Sequence, residues 1–388
     1  MRKAGTTKAK RRAPGAYLGG AARRRGPALA RGVLAPLAFD DAPALAGPVP
    51  EVDRLAVRVV TDSYHHYFAA SGEVAGVKIE RYARPPSKDE PRTLKNEWGL
   101  ALHLESARGS ETRQLMIDFG FTAETLNANL ELLGIEPAKL DALLLTHGHY
   151  DHFGGMAGFF AAYGAKGRKR ARLRKGVPFY LGGEECFCVR ETGPLATPSN
   201  FGALSRRAIR DAGVRVLYAG EPALVADHGL STGWIGLVSF EKPAQPSRMR
   251  VGMLRDGSGC APEGLPEEKR SAAILPDDFQ HEHALAFHVR GKGLVVMTSC
   301  GHRGIVNSVR AAIKVSGVSK IHAVLGGFHL APMPEDYVRQ TVMALKELDP
   351  DVLVPMHCSG PAFYEIAKHE MPGRVLLSST GTRFVFEG

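Results

Sequence analysis

The sequence predicts a mixed α/β domain, and three observations carry that prediction. Short apolar runs of strand length recur along the chain, among them Leu140–Leu145, Gly293–Thr298 and Val352–Val354. Between such runs lie stretches whose apolar residues return at helical spacing, such as Leu126, Leu130 and Leu133. Residues with metal-ligand chemistry gather where strand-like runs end, in both halves of the chain. Periodicity goes no further than this class. A chain of 388 residues fits one large domain or two smaller ones.

The elements follow in order. Leu55–Val60 alternates and reads as a strand running into Thr61–Phe68, a segment that holds Asp62 and the loop histidines His65 and His66. Residues 83–96 are polar and contain proline, so they read as a surface loop. Leu100–Glu105 and Gln114–Phe119 form a hairpin around Ala107–Ser110. A helix over Thr122–Leu133 stops at Gly134. The strand Leu140–Leu145 is followed by a helix-like stretch, Met156–Tyr163. Further strands are expected at Val177–Leu181, Val214–Tyr218 and Gly229–Ser239. Residues 241–278, rich in proline, glycine and charge, read as a long loop over the site. A second hairpin pairs His283–Val289 with Gly293–Thr298. The chain closes with a helix over Gly304–Val315, a strand over Ile321–Leu325, a helix over Tyr337–Leu348, a strand over Val352–His357 and a last strand over Arg383–Glu387.

Composition bounds the function. Hydrophobic residues make up 44% of the chain, enough for a sizeable core. The net charge of +10 is a property of the N-terminus: residues 1–39 hold ten Lys and Arg and no Asp or Glu, and the rest balances. The folded part therefore offers no electrostatic footprint for nucleic acid, and no nucleic-acid partner is expected. Residues 1–50 are expected to be a basic, disordered tail, with the domain at 51–388. Arg11–Arg12 and Arg23–Arg25 invite a twin-arginine export reading, but the apolar segment Gly32–Phe39 is short and broken by Pro36. No run reaches the roughly 18 apolar residues of a membrane span. Five cysteines, an odd number, favour a reducing compartment over a disulfide framework, so the expected location is the cytoplasm. Cys186 and Cys188 read as core or loop. The seven Lys and Arg between Gly164 and Gly176 read as a solvated face.

The chemistry concentrates after Leu145. Within six residues come His147, His149, Asp151 and His152, followed by Gly154 and Gly155. Three imidazoles and a carboxylate after an apolar strand are hard to explain by packing, because a buried polar group left unpaired costs roughly 1–3 kcal/mol. They are ligands that zinc and similar borderline metals take. Asp118, at the end of a neighbouring strand, is the candidate to orient an imidazole.

His147-x-His149-x-Asp151-His152 resembles the signature of the metallo-β-lactamase fold superfamily. Glu97–Trp98–Gly99–Leu100–Ala101–Leu102, Met116–Gly120, Ser299–Cys300–Gly301–His302, Gly326–Leu330 and Met356–Gly360 occur in an order similar to the branch named for 7,8-dihydropterin-6-ylmethyl-4-(β-D-ribofuranosyl)aminobenzene-5′-phosphate synthase. The resemblance runs from about Leu55 to the C-terminus. It implies an αββα four-layer sandwich, two mixed β-sheets face to face with helices outside. It implies one metal on His147, His149 and His302 and a second on Asp151, His152 and His357. Cys300 stands where other members carry a bridging aspartate, and His302 replaces their usual third histidine. Asp151 and His329 are the implied catalytic residues, and Asp62 and His329 the implied substrate contacts. Two zinc ions are the expected cofactor, with iron or manganese as alternatives. The implied activity is hydrolysis of a small anionic or phosphate-bearing substrate through a metal-bound hydroxide. The alternatives are a transferase joining a dihydropterin pyrophosphate to an aminobenzene riboside phosphate, a di-iron redox protein and, disfavoured by the neutral folded part, a nuclease. Oligomeric state stays open.

Overall fold

The computed structural model describes residues 39–45, 47–82, 88, 91–243 and 247–388. The first sheet runs, in spatial order, through Asp40–Asp41, Arg215–Tyr218, Pro178–Leu181, Ala142–Leu145, Glu111–Ile117, Ala101–Arg108, Arg54–Thr61, Arg383–Glu387, Val77–Glu80 and Gly72–Val74. The second runs through Ala223–Val225, Gly229–Ser231, Leu285–Val289, Gly293–Thr298, Ile321–Gly327 and Val352–Met356. Both sheets are mixed. Hairpins give antiparallel pairs, such as Ala101–Arg108 with Glu111–Ile117, and helical crossovers give parallel ones, such as Ile321–Gly327 with Val352–Met356.

Side-chain alternation builds the layers. In Ala142–Leu145, Ala142 and Leu144 enter the core between the sheets, whereas Leu143 and Leu145 face the helices outside. A strand covered on both faces must be apolar at every position, which is why this segment reads as an unbroken run rather than an alternation. Leu102, Leu104, Leu115 and Ile117 of the first sheet meet Leu285, Phe287, Val295 and Leu325 of the second. The helices Ala123–Leu132 and Met156–Tyr163 cover the first sheet through Leu126, Leu130, Met156, Phe159 and Phe160. Ile305–Ser316, Glu335–Glu347 and Gly360–Glu370 cover the second through Val309, Val342 and Phe363. The result is the four-layer αββα sandwich of the metallo-β-lactamase fold. Thr122 caps the first helix by accepting from the Thr125 N–H, and Gly134 closes it at φ 68°.

Several expectations need correction. Cys188 and Cys260 form a disulfide, 72 residues apart, so the odd cysteine count did not exclude a bridge and lends no support to a reducing compartment. Cys186, Cys300 and Cys358 are free and buried. The strand expected over Gly229–Ser239 ends at Ser231, because the chain turns away at Thr232–Gly233, where Gly233 has φ 65°. Residues 241–278 are not structureless: Arg248–Arg250 and Ile274–Pro276 pair with Val189–Thr192 and Ser199–Asn200 in a small antiparallel sheet. The helices Arg206–Ala212 and Gly360–Glu370 were not expected. The ordered body starts before residue 51: Phe39 stacks on Tyr218 with ring centroids 5.1 Å apart, and Asp40–Asp41 pairs with Arg215–Tyr218. The basic tail and most of Gly32–Phe39 lie outside the described residues. Among the described residues, no helix is long and apolar enough to cross a membrane.

Candidate metal centre

The candidate site forms where strands of both sheets end at one edge of the sandwich. Ala142–Leu145 ends in Thr146, whose N–H and hydroxyl both donate to the Asp118 carboxylate at 2.8 Å. The same carboxylate takes His152: its Oδ2, which also accepts the Thr146 hydroxyl, lies 2.8 Å from His152 Nδ1. Asp118 thus pins the turn and directs the imidazole so that Nε2 faces the site, as a carboxylate behind a ligating histidine does. Gly148 makes the turn between His147 and His149 feasible. A Cβ there would lie 2.6 Å from the Arg190 guanidinium and 2.7 Å from the Cys186 carbonyl oxygen. His149 then occupies the position before the short helix Tyr150–Phe153, which carries Asp151 and His152.

The second sheet supplies the rest. Cys300 and His302 follow Gly293–Thr298, His329 follows Ile321–Gly327, and His357 follows Val352–Met356. Asp118, His329 and His357 hold left-handed backbone at φ 56°, 48° and 48°. Such conformations are sparsely populated for residues with a Cβ and persist where the surroundings enforce them, often at functional sites.

Two ligand clusters result. His147, His149 and His302 bring their ring nitrogens within 4.8 Å of one another, and so do the ligand atoms of Asp151, His152 and His357. Cys300 lies between them: its Sγ is 3.2 Å from His152 Nε2 and groups with His147 and His152. Asp151 Oδ2 is 3.2 Å from His357 Nε2. His147 Nε2 and both nitrogens of His302 are buried without a hydrogen-bond partner among the described residues. Left so, each would be costly, and a cation is the partner that neutral imidazole lone pairs lack. The donor set therefore fits a metal.

Electrostatics agree at His147, His149 and His302. Burial, reinforced by neighbouring imidazoles, drives the His147 and His302 pKa values well below the ordinary histidine range, so both rings are neutral lone-pair donors. Burial lowers that of His149 to about 4. His152 goes the other way, to about 9: burial opposes its charge, but Asp151 and Asp118 outweigh it. Asp151 is held below the usual carboxylate range, because His152 and His357 outweigh the burial that raises it.

The remaining expected residues take different places. Asp62 is buried behind His357 and accepts the His357 N–H at 3.0 Å and the Ser63 N–H at 2.6 Å, so it supports a ligand-bearing turn. Burial raises its pKa to about 6. His329 lines the cavity with its ring centroid 4.1 Å from that of His302.

Sequence reasoning missed a supporting network. Phe279 stacks on His302 with centroids 3.9 Å apart and planes 4° apart. Glu282 accepts the backbone N–H groups of His302 and Arg303 at 2.9 and 2.7 Å. Arg190, a fully buried arginine, donates from Nε to Asp277, whose Oδ2 lies 3.8 Å from His149 Nε2. In the sequence only the polar residues Asp278, His281, Glu282 and His283 hinted at this, without naming partners. The cavity over the candidate centre measures about 230 Å³, with Trp98, Phe121, Tyr150 and Phe201 as its aromatic walls. No lysine or arginine lines it among the described residues.

Comparison with known proteins adds three findings. A family model described as the metallo-beta-lactamase superfamily matches residues 108–176. The chain is 27% identical over 274 residues to the 7,8-dihydropterin-6-methyl-4-(beta-D-ribofuranosyl)-aminobenzene-5′-phosphate synthase of Methanocaldococcus jannaschii, covering 68% of this chain and 82% of that protein. The solved structure of Tm1679, described as a metal-dependent hydrolase of the beta-lactamase superfamily, superposes with a TM-score of 0.61 at 20% identity, covering 86% of this chain and all of that one.

Proposed function

We propose that the protein is a hydrolase of the metallo-beta-lactamase superfamily with two metal ions, acting on a small anionic or phosphate-bearing substrate. The observation that carries the reading is the convergence of two ligand clusters around Cys300 on the floor of an aromatic-walled cavity. His147, His149 and His302 would hold one ion, and Asp151, His152 and His357 the other, with Cys300 near both. Zinc suits this donor set, and iron and manganese remain alternatives. When bound, such ions act as Lewis acids on a carbonyl or phosphoryl oxygen and acidify water toward neutral pH.

The residues of the chain do the rest. No lysine or arginine lines the cavity among the described residues, so an anionic group would be drawn to the metal floor and an uncharged ring to the walls. Asp118 keeps His152 in one orientation. His329 is placed at the cavity to pass a proton from its imidazole N–H to a leaving group. Its pKa is raised: burial opposes the charge, but the Cys358, Glu282 and Asp151 side chains favour it.

A second reading is supported by the similarity to the M. jannaschii synthase and by the aromatic lining of Trp98, Phe121, Tyr150 and Phe201. In it, an aminobenzene riboside phosphate replaces water as the nucleophile and pyrophosphate leaves a dihydropterin. One assay separates the two: pyrophosphate release from dihydropterin-6-ylmethyl pyrophosphate by zinc-loaded protein, with and without the acceptor. Release in the absence of acceptor supports the hydrolase, and release that depends on acceptor supports the transferase. No metal uptake at all would refute both.

A further inference from the structure

We propose that the metal centre is thiolate-bearing: Cys300 bridges the two positions through Sγ, and Cys358 is a terminal Sγ ligand of the position held by Asp151, His152 and His357. The proposal rests on the two-metal reading and deepens it by assigning Cys358 and the class of ion. Cys358 lies immediately after a ligand-bearing strand end, where a small buried residue would ordinarily be taken as packing.

Its surroundings are not those of a packing residue. The Cys358 and Cys300 sulfurs are 3.3 Å apart, unbonded, in a protein whose Cys188 and Cys260 are joined. Both sulfurs are buried at the cavity floor. The ligand atoms of Cys300, His357 and Cys358 lie within 4.8 Å of one another, and so do those of Cys300, His147 and His152. Cys300 thus reaches ligands of both positions, and Cys358 groups only with the second. The His329 N–H points to Cys358 Sγ at 3.3 Å, a hydrogen bond that favours the thiolate form a metal requires. Gly327 leaves room for that sulfur: a Cβ there would lie 2.9 Å from Cys358 Sγ.

The consequence is selectivity. Hard ions such as magnesium and manganese gain little from thiolate, whereas zinc, ferrous iron and cobalt bind it well. A bridging cysteine also takes over the place of the carboxylate that softer ions need less.

The test is X-ray absorption on the full-length protein loaded with two zinc ions per chain. Bridging Cys300 and terminal Cys358 together give three zinc–sulfur bonds per pair, an average of about 1.5 sulfurs per zinc at about 2.3 Å. Cys358→Ser should lower that average to about 1.0, and Cys300→Ser together with Cys358→Ser should remove the sulfur shell. Wild type with two zinc ions and only nitrogen and oxygen neighbours overturns the proposal while the two-metal reading stands. An average near 1.0 in wild type, which a bridge without Cys358 or two terminal thiolates would give, overturns the proposed combination of bridge and terminal ligand. Protein that takes up no zinc overturns the two-metal reading as well. The wild-type spectrum decides even if the variants fail to fold.

Discussion

At the scale of the residue, the candidate centre is a set of side chains whose bonding capacity the protein itself leaves unfilled. His147 and His302 are the clearest cases, with buried nitrogens that find no partner among the described residues. His149→Ala should therefore abolish occupancy of the first position and turnover together, as measured by metal analysis and by hydrolysis of the same sample. A variant with full activity would sink the ligand assignment. Asp118 acts at one remove. Asp118→Asn keeps the shape but weakens the hold on His152 Nδ1 and on the Thr146 turn. Metal affinity by chelator competition should fall by about 10- to 100-fold, the usual cost of losing a carboxylate behind a ligand. An unchanged affinity would mean that the backbone alone sets the His152 ring. The ligand types at His147–His152 were legible from the chain because they are adjacent and chemically unusual. Phe279 and Glu282 were not, since nothing local says that a phenylalanine will lie on an imidazole contributed from more than twenty residues away.

At the scale of the element, the ends of strands and helices carry the function and need their own support. Glu241 serves the helix Ile305–Ser316, accepting the N–H groups of Val306 and Asn307 at 2.9 and 3.1 Å from a loop in place of a local cap. Gly304 permits this approach, since a Cβ there would collide with the Glu241 side chain. Burial raises the Glu241 pKa from 4.5 to about 7. Between those values the folded state holds a proton that the unfolded state has lost. Stability from this group is therefore full below the unfolded pKa and falls as pH rises through the folded one. Glu241→Gln cannot titrate. The stability difference, wild type minus variant, should decrease across this window by at most about 1.4 kcal/mol per pH unit, read from urea midpoints at stepped pH. A flat difference would mean that the carboxylate is ionised at no cost in the fold. Hairpins and amphipathic helices were legible at this scale, because period and turn residues are local. The small sheet built from Val189–Thr192, Arg248–Arg250 and Ile274–Pro276 was not: its strands are short, and their pairing joins segments far apart in the chain.

At the scale of the whole molecule, that small sheet is tied in by the Cys188–Cys260 disulfide, next to the strand that places Arg190 behind Asp277 and His149. Closing a loop of 72 residues restricts the unfolded chain, and disulfides of this kind typically contribute about 2–4 kcal/mol. Cys260→Ser should lower unfolding free energy by about that amount in denaturant titrations without reductant. No loss would mean that the two sulfurs are not joined in solution. The cavity walls are a whole-molecule feature too, since Trp98, Phe121, Tyr150 and Phe201 come from segments far apart in the chain. Trp98→Ala should raise KM for a ring-bearing substrate more than it lowers kcat, because the residue faces the cavity rather than the reacting atoms.

The sequence by itself determined the α/β class, most strand and helix positions, and the cluster His147–His152, because periodicity and adjacent ligands are encoded within a few residues. The resemblance it carries also named His302 and His357 from motifs. Tertiary structure decided which strand ends meet, where the sulfurs of Cys300 and Cys358 lie, which carboxylates besides Asp118 stand behind the ligands, and that Cys188 finds Cys260. Those outcomes depend on contacts between residues far apart in the chain, and such contacts exist only once both sheets have packed and their ends share one edge.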